Sequence, residues 1–140
     1  MNVLGGNMIK FKLNQELSNG QLNGLFKQAW KGFKKRDFQG VLGHSLLYVS
    51  AFSGTDLVGF VNVAWDGGIH GFILDTTVRP DFQRKGIGMA LVKKAAAAAK
   101  KAGIKWLHAD YERKYKGFYG RAGFRRTLAG LIRLDGAKGM

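Results

Sequence analysis

Cysteine is absent from the 140 residues. Disulfides, thiolate-held zinc, iron–sulfur clusters and a thiol nucleophile are therefore excluded. Proline occurs once, as Pro80, and acidic side chains are scarce, nine against 23 Lys and Arg. No apolar run approaches the roughly 20 residues that span a bilayer, so no membrane association is expected. The first residues, MNVLGGNMIKFKLN, lack a basic stretch followed by an apolar one, which predicts no secretory signal and a cytoplasmic protein. The three histidines, His44, His70 and His108, lie far apart in sequence and prompt no metal cluster.

What is present is an ordinary globular composition with an uneven charge. The hydrophobic share is 46%, enough for a core, and the length suits a single domain over residues 1–140. Net charge is +14, of which residues 1–78 contribute +2 and residues 79–140 contribute +12. A field of that sign gathers anions: phosphates, acidic partners or nucleic acid.

Residues 7–14 alternate with a period of two and predict a strand. Ser18 and Gln21 form a capping box, with Leu17 and Leu22 as the staple, and so open a helix. Leu22, Leu25, Phe26, Ala29, Trp30 and Phe33 continue it as an apolar stripe, and Lys34, Lys35, Arg36 and Asp37 would form its last turn. Strands are expected at His44–Phe52, Leu57–Trp65 and His70–Val78, joined by tight glycine turns into a meander. Gly86–Lys101 is the strongest helix pattern, lined by Ile87, Leu91, Val92, Ala95, Ala98 and Ala102, with Gly103 closing it. A strand over 104–110, a short helix over Tyr115–Arg121 and a last strand over Thr127–Leu134 complete the order. A strand–helix–strand unit with short joins implies one parallel pair through a right-handed crossover. The fold class is thus α+β, a mixed, mainly antiparallel sheet of about six strands. Trp65, Trp106 and Phe118 are expected to pack the sheet.

Gln83-Arg84-Lys85-Gly86-Ile87-Gly88 falls between a strand end and a helix start. Glycines there admit a ligand to the backbone, and the free amides of the first helical turn favour a pyrophosphate. The dinucleotide fingerprint fails because position 91 is Leu, and no G-K-[ST] follows to make a P-loop.

The stretch from Val78 to Val92, with Val78-Arg79-Pro80-Asp81-Phe82 leading into Gln83–Gly88, resembles motif A of the GNAT superfamily of acyl-CoA-dependent N-acetyltransferases. Phe118-Tyr119-Gly120-Arg121-Ala122-Gly123-Phe124 is similar to that family's F-Y-x-x-x-G-F block. The resemblance implies helices on both sheet faces and a parallel unit at a cofactor cleft. It implies acetyl-CoA as co-substrate, without metal. The amides of Arg84, Lys85, Gly86, Ile87 and Gly88 would hold the pyrophosphate, with Gln83, Phe118 and Arg121 beside the cofactor. Thr77 and Val78 would pair with its pantetheine arm, and the Val78 amide would polarise the thioester carbonyl. Tyr119 stands where the family keeps its general acid. Asp75, Asp110 and Glu112 are the candidate bases, directly or through water. Asp75 follows Phe72-Ile73-Leu74, and an apolar run should raise its pKa. Glu112 replaces the asparagine that many family members place seven residues before the tyrosine.

The reading that follows is transfer of an acetyl group to a primary amine, of a small molecule or a peptide, in a ternary complex by a monomer or homodimer. The alternative is a basic nucleic-acid- or ribosome-associated binding module on the same fold, with a vestigial or regulatory CoA site. Aromatics interleaved with cations, as in Arg113-Lys114-Tyr115-Lys116-Gly117-Phe118-Tyr119, support it.

Overall fold

Four of the strands placed by the sequence each form a sheet with the following one, setting alternate side chains on opposite faces that both need cover. A computed structural model of the chain describes residues 2–4 and 7–136. Six strands, β1 (Asn2–Leu4), β2 (Asn7–Leu13), β3 (Ser45–Ser53), β4 (Asp56–Trp65), β5 (His70–Val78) and β6 (Trp106–Ala109), make one sheet in sequence order. All neighbours pair antiparallel except β5 and β6, which run parallel from His70↔Trp106 to Ile73↔Ala109. The mixed α+β class is as read from the sequence.

One face of the sheet is covered by α3 (Ile87–Lys101). Its buried Ile87, Leu91, Ala95 and Ala99 meet Val49, Ala51, Val61, Val63 and Ile73. Alanines let this helix sit close to the strands, and at Gly59 an added Cβ would lie 3.0 Å from Leu91. The other face is covered by α1 (Asn19–Ala29) and the short α2 (Gln39–Gly43), where Leu22, Leu25, Phe26 and Phe38 pack on Phe52, Leu57 and Phe60. Removing a fully buried leucine such as Leu91 from a core of this kind costs about 2–5 kcal/mol.

Several expectations are corrected. The first helix ends at Ala29, with Trp30 as its C-cap and Gly32 at φ 76°, so Lys34, Lys35 and Arg36 are not its last turn. The strand expected at Thr127–Leu134 does not form. That segment carries no regular structure, and Leu128 and Ile132 are 105% and 80% exposed. The sheet reaches six strands through β1, which the sequence reading did not anticipate. Trp65 and Trp106 are exposed rather than packed into the sheet. The Trp65 indole instead donates to the Gly68 carbonyl at 2.8 Å and closes the β4–β5 turn.

Candidate active site

Pairing between β5 and β6 stops at Ile73, yet β5 continues to Val78. Beyond that point β5 keeps β4 on one side and, among the described residues, has no strand partner on the other. The Arg79 amide donates to the Val58 carbonyl at 2.8 Å, toward β4. Successive peptide groups along a strand alternate in direction, so the Val78 N–H and C=O face the bare edge. The Gln83 side chain donates to that Val78 carbonyl at 2.8 Å, tying the following loop to the strand end.

A bulge interrupts the β4–β5 ladder between the Phe60↔Thr77 and Asn62↔Leu74 pairs. Asp75 sits in it at φ 58°, in the left-handed region that β-carbons disfavour. Burial pushes the Asp75 carboxyl above its ordinary value, and Arg36, whose guanidinium is 3.7 Å away, opposes the shift. Arg36 itself lies over the Phe38 ring, 4.4 Å from its centroid, and close to Phe26 and Phe33. Arg36 is thus exposed, yet it is engaged by Asp75 and the Phe38 ring and does not form the end of α1. Thr77 is buried; its hydroxyl donates to the Asp75 carbonyl and accepts from the Trp30 indole, both at 2.9 Å.

On the other side of the same edge, α4 (Lys116–Arg121) brings Tyr119 against the strand. Tyr119 is 8% exposed, stacked on Tyr111 at 4.6 Å and edge-on to Phe118 and Phe124. Its hydroxyl donates to Thr76 Oγ1 at 3.5 Å, a long contact but one aimed at the strand edge. Phe118 meets the start of α3: a β-carbon at Gly88 would touch its ring at 3.5 Å and Val78 at 3.6 Å. The end of β5, the first turn of α3 and α4 thus converge on one point.

The N-terminus of α3 is built differently from that of α1. Ser18 and Gln21 cap α1 reciprocally at 3.1 and 2.8 Å, whereas Gly86, at φ 84°, offers no side-chain cap to α3. The first four amides of a helix have no intrahelical partner, so those of α3 stay open to an anion. Among the described residues nothing lies within 4 Å of where a Gly86 β-carbon would stand. Arg84, itself at φ 60°, and Lys85 are exposed beside this turn, and Ile87 is buried as its anchor. Asp81 does not oppose them freely, since Arg79 holds it at 2.8 and 3.0 Å and keeps its carboxyl below the ordinary range. Arg121 folds back along α4, so near Gly117 that a β-carbon there would stand 3.1 Å from its guanidinium.

The three candidate bases do not converge. Asp75 faces α1, whereas Asp110 and Glu112 line a separate groove outside β6. Because β6 ends at Ala109, strand alternation does not carry His108 and Glu112 onto one face; Glu112 leads a turn of 3₁₀ helix and lies 3.7 Å from Lys114. Sequence reasoning missed Thr76 and gave Trp30 to the core. Their signal was present only as proximity to the strand end, since neither residue type marks a site by itself. It also left His70 and His108 apart, although their ring nitrogens meet at 2.8 Å across the parallel pair.

Comparison with known proteins places the chain among acetyltransferases. The family described as Acetyltransferase (GNAT) family matches residues 16–124. An uncharacterised N-acetyltransferase of Porphyra purpurea is 31% identical over 116 residues, covering 78% of this chain; the chain spans 63% of that relative's length. Among solved structures, a GNAT family acetyltransferase of Streptococcus pneumoniae superposes with a TM-score of 0.76 at 28% identity, over 93% of this chain and 100% of that one. An aminoglycoside N-acetyltransferase in complex with CoA shares the fold, with a TM-score of 0.72 at 15% identity over 97% and 100% of the two chains.

Proposed function

The chain belongs to the GNAT acetyltransferase family, and we propose that it moves an acetyl group from acetyl-CoA to a primary amine directly, with both substrates at the bare edge of β5. The observation that carries this reading is the convergence, on that edge, of an uncapped helix N-terminus, the outward-facing Val78 amide and the Tyr119 hydroxyl.

The donor set fits CoA. Open amides at Gly86–Gly88, a left-handed glycine with free space before it and two cations, Arg84 and Lys85, suit a pyrophosphate. The bare strand edge offers Val78 to an amide-containing arm, and Phe118 and Gly88 wall the passage. Arg121, in the last turn of α4, adds a third cation on the helix that carries Phe118. When bound, acetyl-CoA supplies an activated thioester.

The roles of the residues follow from their places. The Val78 N–H polarises the thioester carbonyl. The amine nitrogen bonds to the carbonyl carbon, the carbon–sulfur bond breaks, and Tyr119 gives its proton to the departing thiolate sulfur. Thr76 keeps the Tyr119 hydroxyl turned to the edge. Asp75, on the α1 side, takes the proton that the amine loses, directly or through water. The acceptor therefore enters beside Trp30 and Arg36, opposite the cofactor. Asp110 and Glu112 stand outside this path.

The test is release of free thiol from acetyl-CoA across a panel of amines, from amino sugars and polyamines to peptides. Thiol release with at least one amine is expected, and Tyr119→Phe should lower kcat by about 10²–10⁴. Full turnover by Tyr119→Phe removes the acid assignment. No thiol release with any amine, together with no change of Tm at millimolar acetyl-CoA, removes the enzyme.

A further inference from the structure

Arg36 is a cation fixed in place and left without a full partner. Asn23 holds its backbone from both sides: the Arg36 N–H donates to Asn23 Oδ1 at 2.9 Å, and Asn23 Nδ2 donates to the Arg36 carbonyl at 2.8 Å. The guanidinium lies 4.4 to 5.9 Å from the ring centroids of Phe38, Phe26 and Phe33. Packing on aromatic rings fixes an arginine while its N–H donors stay available at the rim. The adjacent Asp37 does not neutralise it, because that carboxylate accepts from the Asn19 side chain and the Gln39 amide, both at 2.9 Å. Among the described residues the one ion pair of Arg36 is with Asp75, at 3.7 Å, too long for a hydrogen bond. The Arg36 side chain is 46% exposed, so its fork of donors is open to a ligand.

Its place beside Asp75 decides what such a cation can do. An amine that gives its proton to Asp75 comes within hydrogen-bond reach of a carboxylate whose neighbour is Arg36. To an acceptor whose only charged group is an ammonium, Arg36 is a like charge close by and weakens binding. To an acceptor that also carries an anion, the same cation is a partner, and the arginine fork fits a carboxylate through two parallel hydrogen bonds. With contacts of about 2.8 Å at each end, the amine and the acid lie within roughly 10 Å of one another, the span of one small molecule. A single cation, Arg36, acts on Asp75, and it matches a single negative charge. A phosphomonoester, with nearly two, would leave charge uncompensated next to a carboxylate. The net charge of +14 acts in the same sense, since it holds back a bare polycation.

We propose that the acceptor is a free amino acid, held by its carboxylate on Arg36 with its amine at Asp75. This acceptor presupposes the acetyl transfer proposed above and names its second substrate. The amine nitrogen gains the acetyl group and loses a proton to Asp75, the thiolate leaves and is protonated, and the acceptor's carboxylate is unchanged; the products are an N-acetylamino acid and free CoA. Arg36 sets specificity. It holds the carboxylate equally before and during transfer, so its loss acts on KM rather than kcat.

The experiment compares matched acceptors at pH 8: each amino acid, its α-amide and its decarboxylated amine, at equal free-amine concentration, with a phosphorylated amino sugar alongside. Thiol release from acetyl-CoA gives kcat and KM, and calorimetry with the CoA-saturated protein gives binding without turnover. At least one amino acid should exceed its matched amide and amine, and the phosphorylated sugar, by tenfold or more in kcat/KM. Arg36→Met keeps the stem on the phenylalanines and removes the charge. It should raise KM for that amino acid by about 10–100-fold with kcat nearly unchanged, and leave KM for the decarboxylated amine unchanged or lower. Arg36→Lys should recover part of the loss. Three results overturn the proposal: a decarboxylated amine or the phosphorylated sugar preferred to every amino acid, a KM that rises alike for amino acid and amine in Arg36→Met, or no amino acid bound by the CoA-saturated protein at about 10 mM. If Arg36→Met fails to fold, the comparison of matched acceptors on the native protein decides alone. Failure of the acetyl transfer reads differently, as binding of an amino acid, lost in Arg36→Met, without thiol release from any compound.

Discussion

Asp75 holds the most perturbed position of the candidate site, in backbone, charge and burial together. Its left-handed φ of 58° favours Asn or Asp over other non-glycine residues, so Asp75→Asn keeps the conformation and removes the charge. The folded carboxyl titrates above its ordinary 3.8, which means that the native state holds the proton more tightly than the unfolded chain. Stability therefore falls as pH rises from 3.8 through the folded pKa, and the penalty is complete above it. Asp75→Asn should raise Tm at pH 7 and show no such advantage near pH 3, as thermal unfolding across that range will tell. Its kcat should drop if the carboxylate accepts the amine's proton, and the acidic limb of the native pH–rate profile should lie above 3.8. Arg36→Ala should move that limb further up, because Arg36 is the cation opposing the shift. Stability gained with kcat unchanged would make Asp75 a structural residue.

Helix ends separate structure from ligand binding at the scale of elements. The capping box of α1 satisfies its own amides, so Ser18→Ala should cost about 1 kcal/mol with acetyl-CoA binding untouched. The N-terminus of α3 lacks such a cap. Gly86→Ala forces a β-carbon into a φ of 84°, for about 1–2 kcal/mol of unfolding free energy, although space is open around it. Gly88→Ala has no positive φ and meets Phe118 only at ordinary contact distance, so its stability should change little. Gly86→Asp and Gly88→Glu should both abolish the rise of Tm that acetyl-CoA produces, by setting negative charge and bulk where the pyrophosphate binds. A preserved shift in both variants would move the phosphate site away from α3. Turn chemistry made these ends readable early. The capping box, Gly103 closing α3 and Gly123 closing α4 all act through local backbone geometry.

Charge acts over the whole molecule. The excess of +12 in residues 79–140 starts at the loop proposed to face the pyrophosphate, and CoA's phosphates would meet only part of it. Exposed cations are screened within about 10 Å at 0.1 M salt. The KM for acetyl-CoA should therefore rise several-fold between about 0.05 and 0.5 M salt, with kcat nearly constant. The same series with an oligonucleotide distinguishes a nucleic-acid partner, whose affinity falls steeply and linearly on logarithmic axes. A KM indifferent to salt would show that the uncapped helix, rather than the cationic field, holds the cofactor.

Strand and helix periods, the glycine turns and the two motif blocks were legible in the chain because local geometry imposes them: alternation over 7–14, the stripe of α3, the loop from Gln83 to Gly88. Those features determined the fold class and the family. Only the tertiary structure decided that β6 leaves β5 at Ile73, that Thr76 meets Tyr119, and that Trp30 and Arg36 close on Thr77 and Asp75. It also decided that Asp75, rather than Asp110 or Glu112, lies on the strand whose Thr76 meets Tyr119. The physical reason is that these contacts join residues 39 to 47 positions apart, through a bulge and a splay. No period or motif encodes them; they exist once the sheet has set its register. Thr127–Leu134 marks the same boundary from the other side. Its alternation is that of a strand, but a strand exists only through pairing, and among the described residues this segment pairs with no neighbour.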